Sequence, residues 1–187
     1  RGAAQLLEDT VSKDDQSLTQ LIRDEVDRIV ALVDRMGMFA DDAPILHQSV
    51  NIHQVLDRVL QVSKNGFGRH SRFVTQFDPS LPPVRGDRDQ LVQVFLNLTK
   101  NAVEANLDEV AEVVIQTSYQ HGVRFTAPGN GERVHLPLAI SISDNGTGIS
   151  DEMMPHLFDP FVTSKPKGSG LGLALVAKII GDHGGIV

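Results

Sequence analysis

The sequence predicts an α+β protein in which a helical hairpin precedes an α/β domain. Three observations carry this reading. From Leu18 to about Ala40 the apolar residues Ile22, Val26, Ile29, Val33, Met36 and Ala40 alternate four and three apart, the seam of a coiled coil or helical bundle. Asp41-Asp42-Ala43-Pro44 then breaks the helix and marks a boundary between 1–41 and 45–187. Beyond it, helix-period and strand-period segments mix, and glycine-bearing turns punctuate them.

The elements are justified in chain order. Arg1–Glu8 is Ala/Leu-rich and helical in propensity, and Thr10–Ser17 is a polar connector. Leu21 and Leu32 widen the seam of the second helix towards another contact, as a four-helix bundle requires. Helices 1–8 and 18–40 supply half of such a bundle, so the expectation is a homodimer in which two antiparallel hairpins pair. The alternative is a hairpin packed on its own domain. A helix from Asn51 to about Val62 carries Ile52, Val55, Leu56, Val59 and Leu60 on one face. Phe73–Phe77 reads as a strand, followed by the turn cluster Asp78-Pro79-Ser80-Leu81-Pro82-Pro83. Asp87-Arg88-Asp89-Gln90 reads as a helix cap, with Gln90 placed to reach back, and its helix runs to about Asn106. Val113–Tyr119 and Leu138–Ser143 read as paired strands, with Gly122–Gly131 a polar hairpin excursion between them. Leu171–Ile180 is an apolar helix springing from glycines.

Composition excludes several classes. The 187 residues suit one ordinary domain plus an appendage, with the 41% hydrophobic and 22% charged content of a soluble globular protein. No apolar run approaches the ~20 residues that cross a bilayer, so no membrane-embedded segment is expected. The absence of cysteine excludes a disulfide scaffold and a Cys-based metal site, and fits a cytoplasmic location. A net charge of −7 without a basic stripe argues against binding nucleic acid. Arg1–Glu8 reads as mid-helix and Gly184–Val187 as the start of a strand, so the chain is expected to be a piece of a longer protein.

Four segments carry chemistry. Asn97 and Asn101 lie one helical turn apart, beside a buried stripe of Leu91, Phe95, Leu98 and Ala102. Asn is unfavourable in mid-helix by up to ~0.7 kcal/mol relative to Ala. A solvated flank is the plain explanation; the functional one is that an amide oxygen suits Mg²⁺ carrying nucleotide phosphates. Lys100 and Glu104 lie nearby and either joins the site or faces solvent. Asp144 ends an apolar strand, and Asn145-Gly146-Thr147-Gly148 turns away from it. This is an ordinary turn, or a buried carboxylate accepting from an adenine amino group with the glycines letting backbone approach the base. Gly168-Ser169-Gly170-Leu171-Gly172 precedes a helix and presents N–H groups to an anion, or is a bare hinge. It is neither a P-loop nor a dinucleotide fingerprint. Ser150–Gly168 lacks periodicity and reads as a movable lid, anchored by Phe158 and Phe161 in Phe158-Asp159-Pro160-Phe161. Lys165 and Lys167 are within reach of a terminal phosphate or face solvent. None of the seven histidines stands in metal-ligand or triad spacing, so each reads as structural or surface.

In this order the four segments resemble the N, G1, F and G2 boxes of sensor histidine kinases, members of the GHKL superfamily that also contains gyrase and MutL. The resemblance implies a two-layer α/β sandwich of the Bergerat type that binds ATP. It places Mg²⁺ on Asn101, phosphates near Asn97 and Lys100, and adenine at Asp144. It adds Gly146, Gly148, Phe158, Lys165, Gly168, Ser169, Gly170, Leu171 and Gly172 to the ATP-binding set. Asn97 stands where gyrase-like members carry a Glu that activates water, and an amide cannot act as a base. Phosphoryl transfer to a protein side chain is therefore favoured over hydrolysis. Arg1-Gly2-Ala3-Ala4-Gln5-Leu6-Leu7, Phe77-Asp78-Pro79-Ser80-Leu81-Pro82 and the short lid are similar to nitrogen-regulation kinases of the NtrB type. That similarity implies a dimerisation and phosphotransfer hairpin, a response-regulator receiver domain as partner, and a PII-type regulatory protein as another. The family's phosphorylated His lies in a His-Glu-Ile-Lys-Asn-Pro box that this chain lacks, so no catalytic residue and no phosphoacceptor is assigned. A clamp-driving GHKL ATPase and a non-catalytic dimerisation module are the alternatives.

Overall fold

The computed structural model describes residues 47–106, 110–120, 124–126, 133–165 and 168–187, with Ile22 and Val26; for 124–126 and 133–135 the description is of backbone. The chain divides into two units, Arg1–Ala43 and Pro44–Val187. In the first, Ile22 and Val26 are helical and exposed, at 52% and 43%. The rest of the expected hairpin, the break at Asp41–Pro44, the tip of the excursion at 127–132 and Lys167 lie outside the described residues.

The second unit begins with β1 (Gln48–Val50) and α1 (Ile52–Asn65). Asn51 is extended and its side chain accepts from His53 N–H at 3.0 Å, which satisfies an otherwise unpaired helix donor and sets the start of α1. The predicted stripe of Ile52, Val55, Leu56, Val59 and Leu60 is buried as a set. Three strands and a helix follow: β2 (Arg72–Gln76), β3 (Val84–Gly86), α2 (Arg88–Glu104) and β4 (Glu112–Tyr119). β2 and β4 are parallel, so a crossover is required, and α2 supplies it. β5 (Arg124–Thr126) and β6 (Arg133–His135) form a short antiparallel hairpin where the polar excursion was expected. β7 (Leu138–Asp144) returns antiparallel to β4, with Ile115 opposite Ile142 and Val113 opposite Asp144. The sheet order is β2-β4-β7, and α3 (Gly172–Asp182) is the last element.

Helix α2 packs on β4 and β7 and is flanked by α1 and α3. The core lies between the layers: Val55, Leu56 and Val59 from α1, Val94 and Phe95 from α2, Val113 and Ile115 from β4, and Leu171, Leu175 and Val176 from α3 are buried. Burying each such side chain contributes about 1.5–3 kcal/mol. In β4 the alternate residues Val113, Ile115 and Thr117 are buried, as expected of a strand with one face under helices. The stripe of α2 differs from expectation. Leu98 is only half-buried, and Thr99 takes the fully buried place beside Val94, Phe95 and Ala102.

Two strands escaped the sequence. β1 and β3 pair antiparallel from Gln48–Gly86 to Val50–Val84, and three residues each are too short to show a period of two. The cap of α2 is also completed differently. Asp87 Oδ1 accepts from Asp89 and Gln90 N–H, but Gln90 does not reach back, and its Oε1 is buried without a hydrogen-bond partner among the described residues. The Asp87 N–H instead donates to His183 Nε2 at 2.9 Å. His183 Nδ1 lies 2.7 Å from the Ile179 carbonyl, so Nδ1 carries the proton and Nε2 is left as the acceptor. His53 is structural as well: its ring stacks on Phe77 at 4.9 Å, and Nε2 lies 3.1 Å from Thr117 Oγ1.

Candidate nucleotide site

Three loops converge on one flank and one end of α2. Asn97 and Asn101 are both half-buried there, beside the apolar stripe. The first turn of α3 faces Asn97: a Cβ at Gly172 would lie 3.7 Å from Asn97 Oδ1. This brings together segments some seventy residues apart in the chain.

The loop after β7 docks on the C-terminal end of α2. A Cβ at Gly146 would meet Ala105 Cβ at 2.6 Å and its carbonyl oxygen at 2.7 Å, so glycine is needed for the approach to protein. Thr147 N–H donates to the same carbonyl at 3.4 Å. Gly148 has open space around it but a φ of +76°, a conformation that glycine adopts without strain. Asp144 Oδ1 accepts from Gly146 N–H at 2.8 Å, which fixes the carboxylate and leaves Oδ2 without a partner among the described residues. The expectation that Asp144 is buried is corrected, because the side chain is exposed. It ends an edge strand and turns straight into a loop. Asn145 has a role that sequence reasoning missed. Its Oδ1 accepts from Glu112 N–H at 2.8 Å and its Nδ2 donates to the Val110 carbonyl at 3.4 Å, tying the turn to the start of β4. An Asn before Gly signalled only the turn.

Between the glycine loops, Met154–His156 forms a single 3-10 turn. Phe158 and Phe161 do not anchor this segment apolarly: they are 36% and 60% exposed. The tether is backbone. Phe161 N–H donates to the Gly170 carbonyl at 3.0 Å, with Phe161 at φ +68° and Gly170 at φ +66°. A Cβ on Gly170 would collide with the Phe161 carbonyl carbon, and one on Gly168 with Thr163 Oγ1. Leu171 of the predicted binding set is a core residue, 1% exposed, so its side chain is unavailable to a ligand. Its N–H points at Ser169 Oγ, 3.4 Å away.

Lys165 crosses from this segment to α2. Its ammonium donates to Glu104 Oε2 at 2.7 Å and to Asn101 Oδ1 at 3.2 Å. Lys100 lies 3.7 Å from the other Glu104 oxygen. Two oxygens, one amide and one carboxylate, thus already surround a cation, the donor chemistry that a hard divalent metal takes. Glu104 and Lys100 are residues the sequence left undecided, and the contacts of Glu104 with Lys165 and Lys100 distinguish it from a solvated carboxylate. Two surface clefts lie elsewhere, one lined by Gln54, Asp57, Arg58, Gln61 and Arg88, the other by His47, Arg85 and His183; neither includes a predicted site residue.

An Asn-bearing helix faced by a glycine-led helix N-terminus, with an Asp-ended strand docking on the helix's far end, defines an ATP-binding domain of the GHKL type. The chain belongs to the family described as histidine kinase-, DNA gyrase B- and HSP90-like ATPases, whose model matches residues 86–187. It is 58% identical to the sensory histidine kinase/phosphatase NtrB of Azospirillum brasilense over 187 residues, all of this chain and 47% of that protein. It is 35% identical to NtrB of Escherichia coli O157:H7 over 188 residues, 99% of this chain and 52% of that protein. The chain therefore spans about half the length of these curated relatives. Among solved structures, full-length ShkA in complex with AMPPNP superposes with a TM-score of 0.73 at 25% identity, covering 98% of this chain and 37% of that one.

Among the described residues no helix is long and apolar enough to cross a membrane. No group of three or more His, Cys, Asp or Glu side chains is placed to hold a metal among them either.

Proposed function

We propose that this chain is the catalytic region of a two-component sensor histidine kinase of nitrogen regulation, binding Mg-ATP between α2, the Asp144 loop and the Gly168–Gly172 loop. The observation that carries the reading is the convergence of Gly146 and Gly172, from loops that are remote in sequence, on the helix that carries Asn97 and Asn101. Asp144 accepts the adenine amino group on Oδ2, since Oδ1 is engaged by Gly146 N–H. Asn97, Lys100 and Lys165 lie along the phosphates, and Gly168, Ser169, Gly170 and Gly172 give them a close backbone approach and a helix N-terminus. Phe158 and Gly148 border the base side, and Leu171 holds α3 from the core. Asn101 is the protein ligand for Mg²⁺, which when bound neutralises charge on the phosphate oxygens.

The position on α2 from which a carboxylate would activate water carries an amide, Asn97. Asn97 can orient and hydrogen-bond but cannot take a proton, which favours transfer of the γ-phosphoryl to a histidine over hydrolysis. That histidine lies in the box that this chain lacks, on the helical hairpin to which residues 1–41 contribute and which pairs into a dimeric four-helix bundle, a reading supported by the helical, exposed Ile22 and Val26. The phosphoryl then passes to a response-regulator receiver domain, and a PII-type protein is the regulatory partner that the nitrogen-regulation reading implies. Cytoplasmic location follows from the same reading. The similarity to proteins named sensory histidine kinase/phosphatase supports both directions of phosphate flow.

Calorimetry tests the site. ATP with Mg²⁺ should bind this chain at micromolar affinity, about −6 to −8 kcal/mol. Asp144→Asn should weaken binding by about 1–3 kcal/mol by mispairing the adenine amino group. Unchanged affinity in that variant would remove Asp144 from the base site.

A further inference from the structure

We propose that Glu104 is a positioning residue that holds the Lys165 ammonium on Asn101 Oδ1 when no nucleotide is bound, so that the chain's own cation occupies the metal's place. The inference rests on the reading of Asn101 as the metal ligand given above. Its basis is the geometry of four side chains. Lys165 Nζ is 2.7 Å from Glu104 Oε2 and 3.2 Å from Asn101 Oδ1. Glu104 follows Asn101 by three residues on α2, one helical turn, so their oxygens face the same point. Lys100, four residues before Glu104, sits on the other carboxylate oxygen at 3.7 Å and balances it when Lys165 leaves.

The aim of Lys165 is set by its own backbone. Its N–H donates to Thr163 Oγ1 at 3.1 Å, and its carbonyl accepts from Gly168 N–H at 2.9 Å. A Cβ at Gly168 would strike Thr163 Oγ1 and approach Lys165 Cβ at 3.1 Å, so this turn tolerates no bulk. An ammonium and a divalent ion cannot share one amide oxygen, because like charges at contact repel strongly. Metal binding therefore requires Lys165 to leave Asn101, and the freed ammonium is then available to an anionic phosphate. An amide oxygen alone holds a lysine weakly, and the Glu104 carboxylate is what keeps it there. Both side chains are more than a third exposed, so the hold is weak enough to be released by the metal.

The test uses the whole chain with ADP and Mg²⁺ as probes. First, ADP binding is measured by calorimetry at a series of Mg²⁺ concentrations; absence of binding in the wild type would overturn the nucleotide site itself and this inference with it. Given binding, Glu104→Gln should lower the Mg²⁺ concentration for half-maximal binding about two- to fivefold, the size of a part-exposed ion pair. On a Lys165→Met background the same substitution should produce no further change, since the proposed effect on Asn101 runs through Lys165. Without nucleotide, Glu104→Gln should also speed amide exchange at 163–165, with thermal melting unchanged. A raised Mg²⁺ requirement would make Glu104 a metal ligand, and an unchanged one would make the pair a surface contact. Either result overturns the proposal.

Discussion

Gly146→Ala separates a glycine required by protein packing from one required by a ligand. The new Cβ would stand 2.6 Å from Ala105 Cβ, 2.7 Å from its oxygen and 2.8 Å from its carbonyl carbon. Ordinary contact begins at 3.4 Å, so the loop must retreat by about 0.8 Å, the difference between 3.4 and 2.6 Å. Two of the three obstructing atoms are backbone at the end of α2 and cannot rotate aside. Gly146 is not in the left-handed region, so the effect is steric. Overpacking of this kind costs about 1–3 kcal/mol. With a urea slope of about 1–3 kcal/mol/M, the unfolding midpoint should fall by about 1 M. The retreat also carries Asp144 away, through its bond to Gly146 N–H, so ADP affinity should fall as well. Gly148→Ala is the control: it has no neighbour within 4 Å but a φ of +76°, and should cost about 1–2 kcal/mol through backbone strain. The two causes part in double variants. Ala105→Gly removes the nearest obstruction and should recover part of the Gly146→Ala loss, but none of the Gly148→Ala loss. A Gly146→Ala protein within about 0.5 kcal/mol of wild type would refute the packing argument.

Three further outcomes are expected. Asn101→Ala should weaken ATP binding in Mg²⁺ more than ADP binding without metal, and equal losses would indicate a packing defect at α2. Hydrogen bonds from the Ser80 hydroxyl, the Ser80 N–H and the Tyr119 N–H hold the Asp78 carboxyl below its ordinary value of 3.8. The native state therefore binds this proton less readily than the unfolded chain does, so the contribution is full above 3.8 and is lost as pH falls through the lower native value. Urea midpoints of Asp78→Asn should accordingly approach those of wild type as acid is added, and a gap independent of pH would reject the assignment. Val26→Glu should leave helix content intact, since the side chain is 43% exposed, yet yield monomers in sedimentation if hairpins pair through this seam; a dimer that survives would place the pairing elsewhere.

What could be read locally was read well where one face of an element meets the core. The α1 stripe from Ile52 to Leu60 needs no knowledge of its partner, because burial imposes a 3.6-residue period on the sequence itself. Asp87 was legible for the same reason: the N–H groups of Asp89 and Gln90 that it satisfies lie two and three residues away. Expectations failed where the deciding partner is remote. Gln90 was expected to reach the Asp87 N–H, but His183, 96 residues distant, occupies that donor. Phe158 and Phe161 suggested an apolar anchor because they are large, yet the Gly170 carbonyl holds the segment and the rings stay exposed.

The same division runs through the site. Its residue types are local facts: two amides one turn apart, an Asp before an Asn-Gly turn and a glycine run leading a helix are present in the sequence whatever the chain does. Their family membership follows from that order alone. Which atoms meet is a tertiary fact. That Gly146 serves Ala105, that Asn145 ties the turn to Glu112, and that Lys165 spans 61 residues to reach Glu104 were decided when the loops closed on α2. A side chain's periodicity records only whether it faces the core. Its partner is chosen by the path of the whole chain, and a polar contact made at long range leaves no period in the sequence to read.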